Sequence, residues 1–342
     1  MSDSGHRGPE LTGEQYRERH ASGTDVAEAV IEASVAGGVE AIEPAQREAG
    51  LFSDAWRQVR RRKLFWLSAF LIGLFTLMAL APGVFTALSP ATHDPTACSL
   101  RNSDTGEFQD LLRPSSEHWF GTDIQGCDYY ARVIHGARVS IIIGTVGTVI
   151  IAAIGLVLGG VAGFYGGATD MAISRFVDVL FAFPFIIGAI LFLNAISGGS
   201  GRTVWHVIAV VAVFSWPTLS RIFRGAVLQA KEKEYVEAAR ALGASNNRIL
   251  FRHVFPNAVA PAVVYAMTGV GGLISAEAAL SFLGVGLQLP SISWGLMIND
   301  AQDRILQTPH LLLFPGIFLS LTVLGFLLLG DVARDALDPR TR

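Results

Sequence analysis

Apolar residues in this chain fall in long uncharged runs, at 64–88, 139–169, 179–201, 203–220 and 305–330, with a further run over 253–299 broken only by Glu277. A helix of about 20 mainly apolar residues crosses a bilayer, so the pattern predicts six spans. They are centred on 65–88, 139–163, 177–197, 204–222, 258–283 and 311–331. Two segments depart from this texture. LFSDAWRQVRRRK (51–63) sets Leu51, Phe52, Ala55, Trp56 and Val59 along one helical face opposite its arginines, which predicts an interfacial amphipathic helix. EAARALGASNNRILFRHVFPN (237–257) is polar, charged and bounded by apolar runs on both sides.

Composition agrees with a membrane protein. Of 342 residues, 51% are hydrophobic and 16% charged, against about 25% charged in soluble domains; mean hydropathy is +0.44. Residues 1–50 carry ten acidic and four basic residues and read as a mostly disordered cytoplasmic tail. No basic-aromatic stripe suggests nucleic acid. Lys and Arg set the orientation. With both termini inside, sixteen flank the inner ends of the spans and five lie in outer loops. The expected class is therefore an all-α, six-span polytopic protein, N-in and C-in. It has an extracytoplasmic loop at 89–137 and a cytoplasmic loop at 221–257, within a six-span membrane domain running from 64 to 342. Both cysteines, Cys98 and Cys127, fall in the outer loop, where an oxidising compartment permits a disulfide between them.

Within the second span Gly155, Gly159, Gly163 and Gly167 recur every four residues, a small-residue face that lets another helix backbone approach. In the charged loop, KEKEYVEAARALG (231–243) places Tyr235, Ala238, Ala239 and Leu242 on one helical face. Gly243 suits a left-handed helix end, and Ser245 can cap a second helix that Pro256 would stop near Val254. An apolar stripe with no partner in its own loop calls for a partner elsewhere.

These residues carry a resemblance. EAA (237–239), three residues (Arg240, Ala241, Leu242), Gly243, nine residues and then His253-Val254-Phe255-Pro256 resemble the cytoplasmic EAA loop of integral-membrane subunits of ATP-binding-cassette importers. His253 and Phe255 stand where that family usually has Ile and Leu. HWFGTDIQGCDYYARVIHGARVSIIIG (118–144), GFYGGATDMAISRFVDVLFAFP (163–184), EAALSFLGVG (277–286), SWGLMIND (293–300) and LLGDVARDALDPR (328–340) look like the C-type subunit of the dipeptide/oligopeptide/nickel group. Gly126-Cys127-Asp128 replaces that group's usual GRD. The resemblance covers about 51–340.

It implies the permease fold of binding-protein-dependent importers in a bacterial cell (inner) membrane. The implied partners are a second homologous permease subunit, two cytoplasmic ATPase subunits or one fused ATPase, and an extracytoplasmic binding protein that delivers peptides. ATP and Mg would be bound by the ATPases, with no cofactor in this chain. The docking element would comprise Tyr235, Glu237, Ala238, Ala239, Leu242, Gly243 and Ala244, with Glu237 as a charged contact and Gly243 as the bend.

Motifs for other chemistry are absent: the chain has no G-x-x-x-x-G-K-[ST], no HExxH and no G-x-S-x-G. His206 and His310 read as span-end residues and Asp178 as a helix-end residue near Arg175. Glu277 is a candidate for the translocation path, because intramembrane ionisable residues usually face a bundle interior or a water-filled cavity. Nickel or another small solute is the alternative cargo. A self-sufficient channel or secondary transporter is the alternative class; the latter would show inverted repeats and midplane ion ligands, and no internal repeat is evident.

Overall fold

The computed structural model describes residues 59–101, 106, 108–198 and 201–337. The expected tail 1–50 and residues 51–58 of the interfacial segment 51–63 lie outside the described residues. Those described are helical and contain no strand, only isolated bridges between residues 98 and 128.

α1 (Lys63–Leu80) is shorter than its apolar run. Ala81 is pushed out of helical geometry (φ −131°, ψ 61°) and Pro82 opens a new short helix, α2 (Pro82–Thr86). The residue before a proline is disfavoured in helical conformation. α3 (Tyr129–Tyr165) runs for 37 residues and starts ten residues before the expected span. Asp128 explains the early start: its carboxylate accepts from Ala131 N at 3.0 Å and caps the helix. Tyr129, Val133 and Ile134 then bury into the core, so the 89–137 segment is helical from Tyr129 onward.

The expected third span, 177–197, falls in a bent pair, α4 (Gly167–Ala182) and α5 (Phe185–Ser197), meeting at 94°. Phe183 is extended (φ −89°, ψ 124°) because Pro184 follows it. α6 (Val204–Lys231) begins with a capping box in which His206 reaches back to Thr203 N at 3.1 Å, so this histidine serves a helix end. Among the described residues five helices are long and apolar enough to cross a membrane, or up to six if the bent pair is one span.

After α6 come α7 (Glu234–Ala241), α8 (Asn246–Ile249), a π turn (Leu250–Val254) and α9 (Phe255–Ala258), leading into α10 (Ala260–Phe282). Pro256 does not stop the chain as expected. It sits in the first turn of α9, where a missing N–H costs little, and the π turn takes up the register its ring would disturb. α11 (Trp294–Ala301) and α12 (His310–Leu337) complete the bundle.

α3 and α6 pack along the glycine face. A Cβ at Gly155 would stand 2.6 Å from Leu219 Cδ2, at Gly159 2.4 Å from Ser220 O, and at Gly163 2.9 Å from Arg224 O. The three glycines therefore let backbone meet side chain and backbone of α6 directly. Gly167 is not part of this face: the helix breaks at Gly166, and a Cβ at Gly167 would meet nothing within 4 Å. A second core joins α1, α3, α11 and α12 around Phe75, Trp294 and Phe318, where Trp294 Nε1 donates to Val133 O at 2.9 Å.

Candidate functional site

α7 ends in a Schellman turn. Ala244 N bonds Ala239 O at 3.0 Å and Gly243 N bonds Arg240 O at 3.0 Å. Gly243 has φ +79°, a conformation costly for any residue with a Cβ. The turn directs α8 and the π turn back to α10. The elbow is thereby a formed rigid object.

Its apolar face differs from expectation. Val236 and Ala239 are buried against the chain's own core, and Ala244 packs with them. Tyr235 (40% exposed) and Leu242 (88% exposed) point outward, and Ala238 and Glu237 are also exposed. Ala239 therefore belongs to the inner seam. Phe251 on the π turn is 67% exposed; the motif spacing passed over it, although an apolar residue among Arg248, Arg252 and two asparagines was its visible signal. Desolvation raises the Tyr235 phenol above its ordinary range.

Ties anchor the elbow to the bundle. Lys231 Nζ donates to Gly163 O at 2.9 Å, Tyr165 Oη donates to Asn247 Oδ1 at 3.2 Å, and Arg224 grips Asp170 through two bonds of 2.5 Å. Asp178 pairs with Arg221 at 2.5 Å as well as with Arg175 at 3.8 Å, which makes it a helix-bridging residue. Beside the elbow lies a cavity of about 850 Å³ lined by Tyr235, Pro261, Asp331 and Arg334. Arg62 pairs with Asp335, so the start of α1 and the end of α12 meet, at the end of the bundle that carries the elbow.

At the other end, Cys98 and Cys127 form a disulfide with Cα atoms 4.1 Å apart. Asp123 accepts from Cys127 N at 2.9 Å and pairs with Arg132. The Asp300 side chain is exposed, yet partial desolvation and the neighbouring Asp123 carboxylate raise its carboxyl above the usual carboxylate range, with Arg132 opposing. Among the described residues no cluster of three His, Cys, Asp or Glu side chains could hold a metal ion.

Glu277 does not lie where a path residue was expected. It is fully buried inside the subunit and does not line the cavity beside the elbow. Its carboxylate accepts from Ser281 and Ser293 at 2.9 Å each and from Ser140 at 3.4 Å. A buried charge needs such partners, and the serines supply them from α10 itself, the start of α11 and α3. Glu277 joins helices.

Comparison with known proteins decides the family. Residues 155–342 match the binding-protein-dependent transport system inner membrane component, and residues 50–104 match the N-terminal transmembrane domain of oligopeptide transport permease C. The chain belongs to the inner-membrane components of binding-protein-dependent transport systems. It is similar to the dipeptide transport system permease protein of Alkalihalophilus pseudofirmus, with 38% identity covering 84% of this chain and 90% of that protein. The oligopeptide transport system permease protein of Bacillus subtilis is 36% identical, over 92% of this chain and 97% of its own length. The glutathione transport system permease protein of Pectobacterium atrosepticum is 40% identical, over 84% and 92%. Among solved structures, a chain of the MetNI methionine ABC transporter in an inward-facing conformation superposes with a TM-score of 0.51. It is 20% identical, covers 60% of this chain and 96% of its own, and shares the fold.

Proposed function

We propose that this chain is the C-type permease subunit of an ATP-driven peptide importer. The observation that carries the reading is that relatives named for dipeptide, oligopeptide and glutathione transport match it at 36–40% identity over 84–92% of its length. In this reading the chain lies N-in and C-in in a bacterial inner membrane. The Arg62–Asp335 pair supports both ends sharing one side, and the excess of Lys and Arg near the elbow end supports that side being cytoplasmic. The partners are a second homologous permease, ATPase subunits that bind ATP and Mg, and an extracytoplasmic binding protein.

The elbow is the ATPase docking element. Leu242, Tyr235 and Ala238 enter the partner's groove, Glu237 meets a basic residue, and Val236 and Ala239 hold the elbow to its own bundle. Force then has two direct routes, back into α6 through the Lys233 backbone and onward through α8, the π turn and α9 into α10. Rigid rotation of packed helices around a fixed hinge is an established way to switch states.

Co-purification of the ATPases, with peptide-stimulated ATP hydrolysis by the assembled complex, tests this. Leu242→Glu puts a charge into the docked contact without touching the subunit's own core, so the variant inserts normally, loses the ATPases and loses coupled hydrolysis. Full retention of both defeats the docking assignment. A wild-type complex that binds ATPases but never responds to peptide defeats the cargo assignment.

A further inference from the structure

The elbow joins α6 to α10 at one end, and Arg202 ties the two helices again at the end remote from it. Arg202 lies two residues before α6 (Val204–Lys231). Its Nη1 donates to Gly284 O at 3.5 Å, just past the end of α10 (Ala260–Phe282), and its Nη2 donates to Asn194 Oδ1 on α5 at 2.6 Å. Its backbone exchanges two bonds with Gln288: Arg202 N donates to Gln288 Oε1 at 3.2 Å, and Arg202 O accepts from Gln288 N at 3.3 Å. One residue thus holds α5, the start of α6 and the loop that follows α10.

Each contact has a local cause. Gly284, at φ +73°, turns the chain off α10, while Val285 N and Gly286 N bond Leu280 O at 3.0 and 2.8 Å. The C-terminal end of a helix carries partial negative charge, which suits the guanidinium at Gly284 O. Asn194 donates Nδ2 to Ile190 O at 2.9 Å and presents Oδ1 to Arg202.

The loop after α10 is fastened in a second, different way. Ser281 and Ser293 bind it to Glu277, and all three of those side chains are buried. Asn194, Gly284 and Gln288 are exposed, and Arg202 is half-buried. Opening a buried bond leaves its polar groups desolvated, whereas an exposed bond is exchanged for water at little net cost. The attachment to Glu277 is therefore permanent and the attachment to Arg202 can be released. α5 is itself lightly held: it hangs from the 94° break and buries only Gly188, Ala189, Leu193 and Ser197.

We propose that Arg202 is a positioning residue for transport, a releasable clasp that holds the remote ends of α6 and α10 together in the resting importer and opens when the ATPases drive the elbow. The inference rests on the importer reading above. Displacement of the elbow tilts α6 against α10, and their remote ends separate only as the bonds to Arg202 break. While the clasp is shut it restrains the ATPases, and the loaded binding protein favours the open state by binding it better.

The test uses the complete importer in proteoliposomes and measures ATP hydrolysis with and without peptide-loaded binding protein. Arg202→Gln removes the guanidinium and raises hydrolysis without binding protein about tenfold, the worth of one hydrogen bond to a charged group, with assembly and thermal midpoint unchanged. Arg202→Lys keeps a cationic donor and raises it less. Asn194→Ala, at an exposed position, removes one acceptor and acts in the same direction, and combining it with Arg202→Gln adds nothing further because both act through one contact. Hydrolysis without binding protein that stays at the wild-type level in both single variants overturns the clasp. A fall in hydrolysis that follows a lower thermal midpoint also overturns it and assigns Arg202 to stability alone. A wild-type complex that hydrolyses ATP equally with and without loaded binding protein overturns the importer reading and the clasp together.

Discussion

Ser293 donates its hydroxyl to Glu277 Oε1 at 2.9 Å while accepting from Leu296 N at 3.2 Å. One serine thus caps α11 and binds it to the carboxylate buried in α10. Ser281 repeats the device, donating to the same oxygen and accepting from Leu287 N at 3.2 Å. The loop between α10 and α11 is therefore hung on Glu277 from both sides.

Replacing Glu277 by Leu removes the acceptor and strands three buried hydroxyls. The expected cost is about 3 kcal/mol, in the range for breaking a buried polar network, read as a lower thermal midpoint of the purified complex. Glu277→Gln keeps one acceptor oxygen and loses less. Equal stability of the Leu variant and wild type contradicts the hanging role.

Much of this was legible beforehand, for physical reasons. Uncharged runs of span length can be read directly because a bilayer excludes charge, and Gly155, Gly159 and Gly163 announce a close helix contact by spacing alone. The inner face of α7 was not legible. Residues 234–242 offer two apolar stripes, Val236 with Ala239 and Tyr235 with Ala238 and Leu242, and only tertiary packing chooses between them. Glu277 was noticed as an intramembrane charge, yet its three serines come from separate helices and no local pattern joins them.

Cys98 and Cys127 close a loop with a sequence separation of 29. Cross-linking a loop of that size stabilises by about 3–4 kcal/mol in the chain-entropy picture. Alkylation of the folded protein without reductant should label neither cysteine, and reduction should expose two thiols and lower the thermal midpoint. Two free thiols before reduction contradict the bridge.

Gly159→Ala places a methyl group 2.4 Å from Ser220 O, a backbone atom that cannot swing aside. Separation of α3 from α6 should follow, with a loss of about 1–3 kcal/mol typical of overpacking. Gly269→Ala, which meets nothing within 4 Å, serves as the control. Matching thermal midpoints for the two variants would contradict the close approach of α3 and α6.

Asp300, near the end of α11, supplies a pH prediction. Its folded pKa is raised chiefly by partial desolvation, so the folded state holds this proton more tightly than the unfolded chain, where the group titrates near about 3.9. The resulting penalty is absent in acid and grows as pH rises through the unfolded and then the folded pKa. Asp300→Asn should therefore raise the thermal midpoint at neutral pH, with the advantage shrinking toward pH 4. An advantage that stays constant across that range contradicts the titration.

Gly243 closes the elbow at φ +79° with open space around it. A substitution here is opposed by backbone conformation and not by crowding, which separates it from Gly159. Gly243→Asn tolerates the left-handed region and should keep both ATPases and coupled hydrolysis close to wild type. Gly243→Val, β-branched, should strain the turn by about 1–3 kcal/mol, enough to open the Schellman bonds at Ala244 and Gly243 and swing Leu242 away from its partner. The spans are untouched, so membrane insertion should be unchanged while coupled ATP hydrolysis falls at least tenfold. Co-purification and hydrolysis measured on the two variants side by side distinguish a required bend from a passive linker. Equal behaviour of valine and asparagine would mean that the turn geometry does not set the docking of α7.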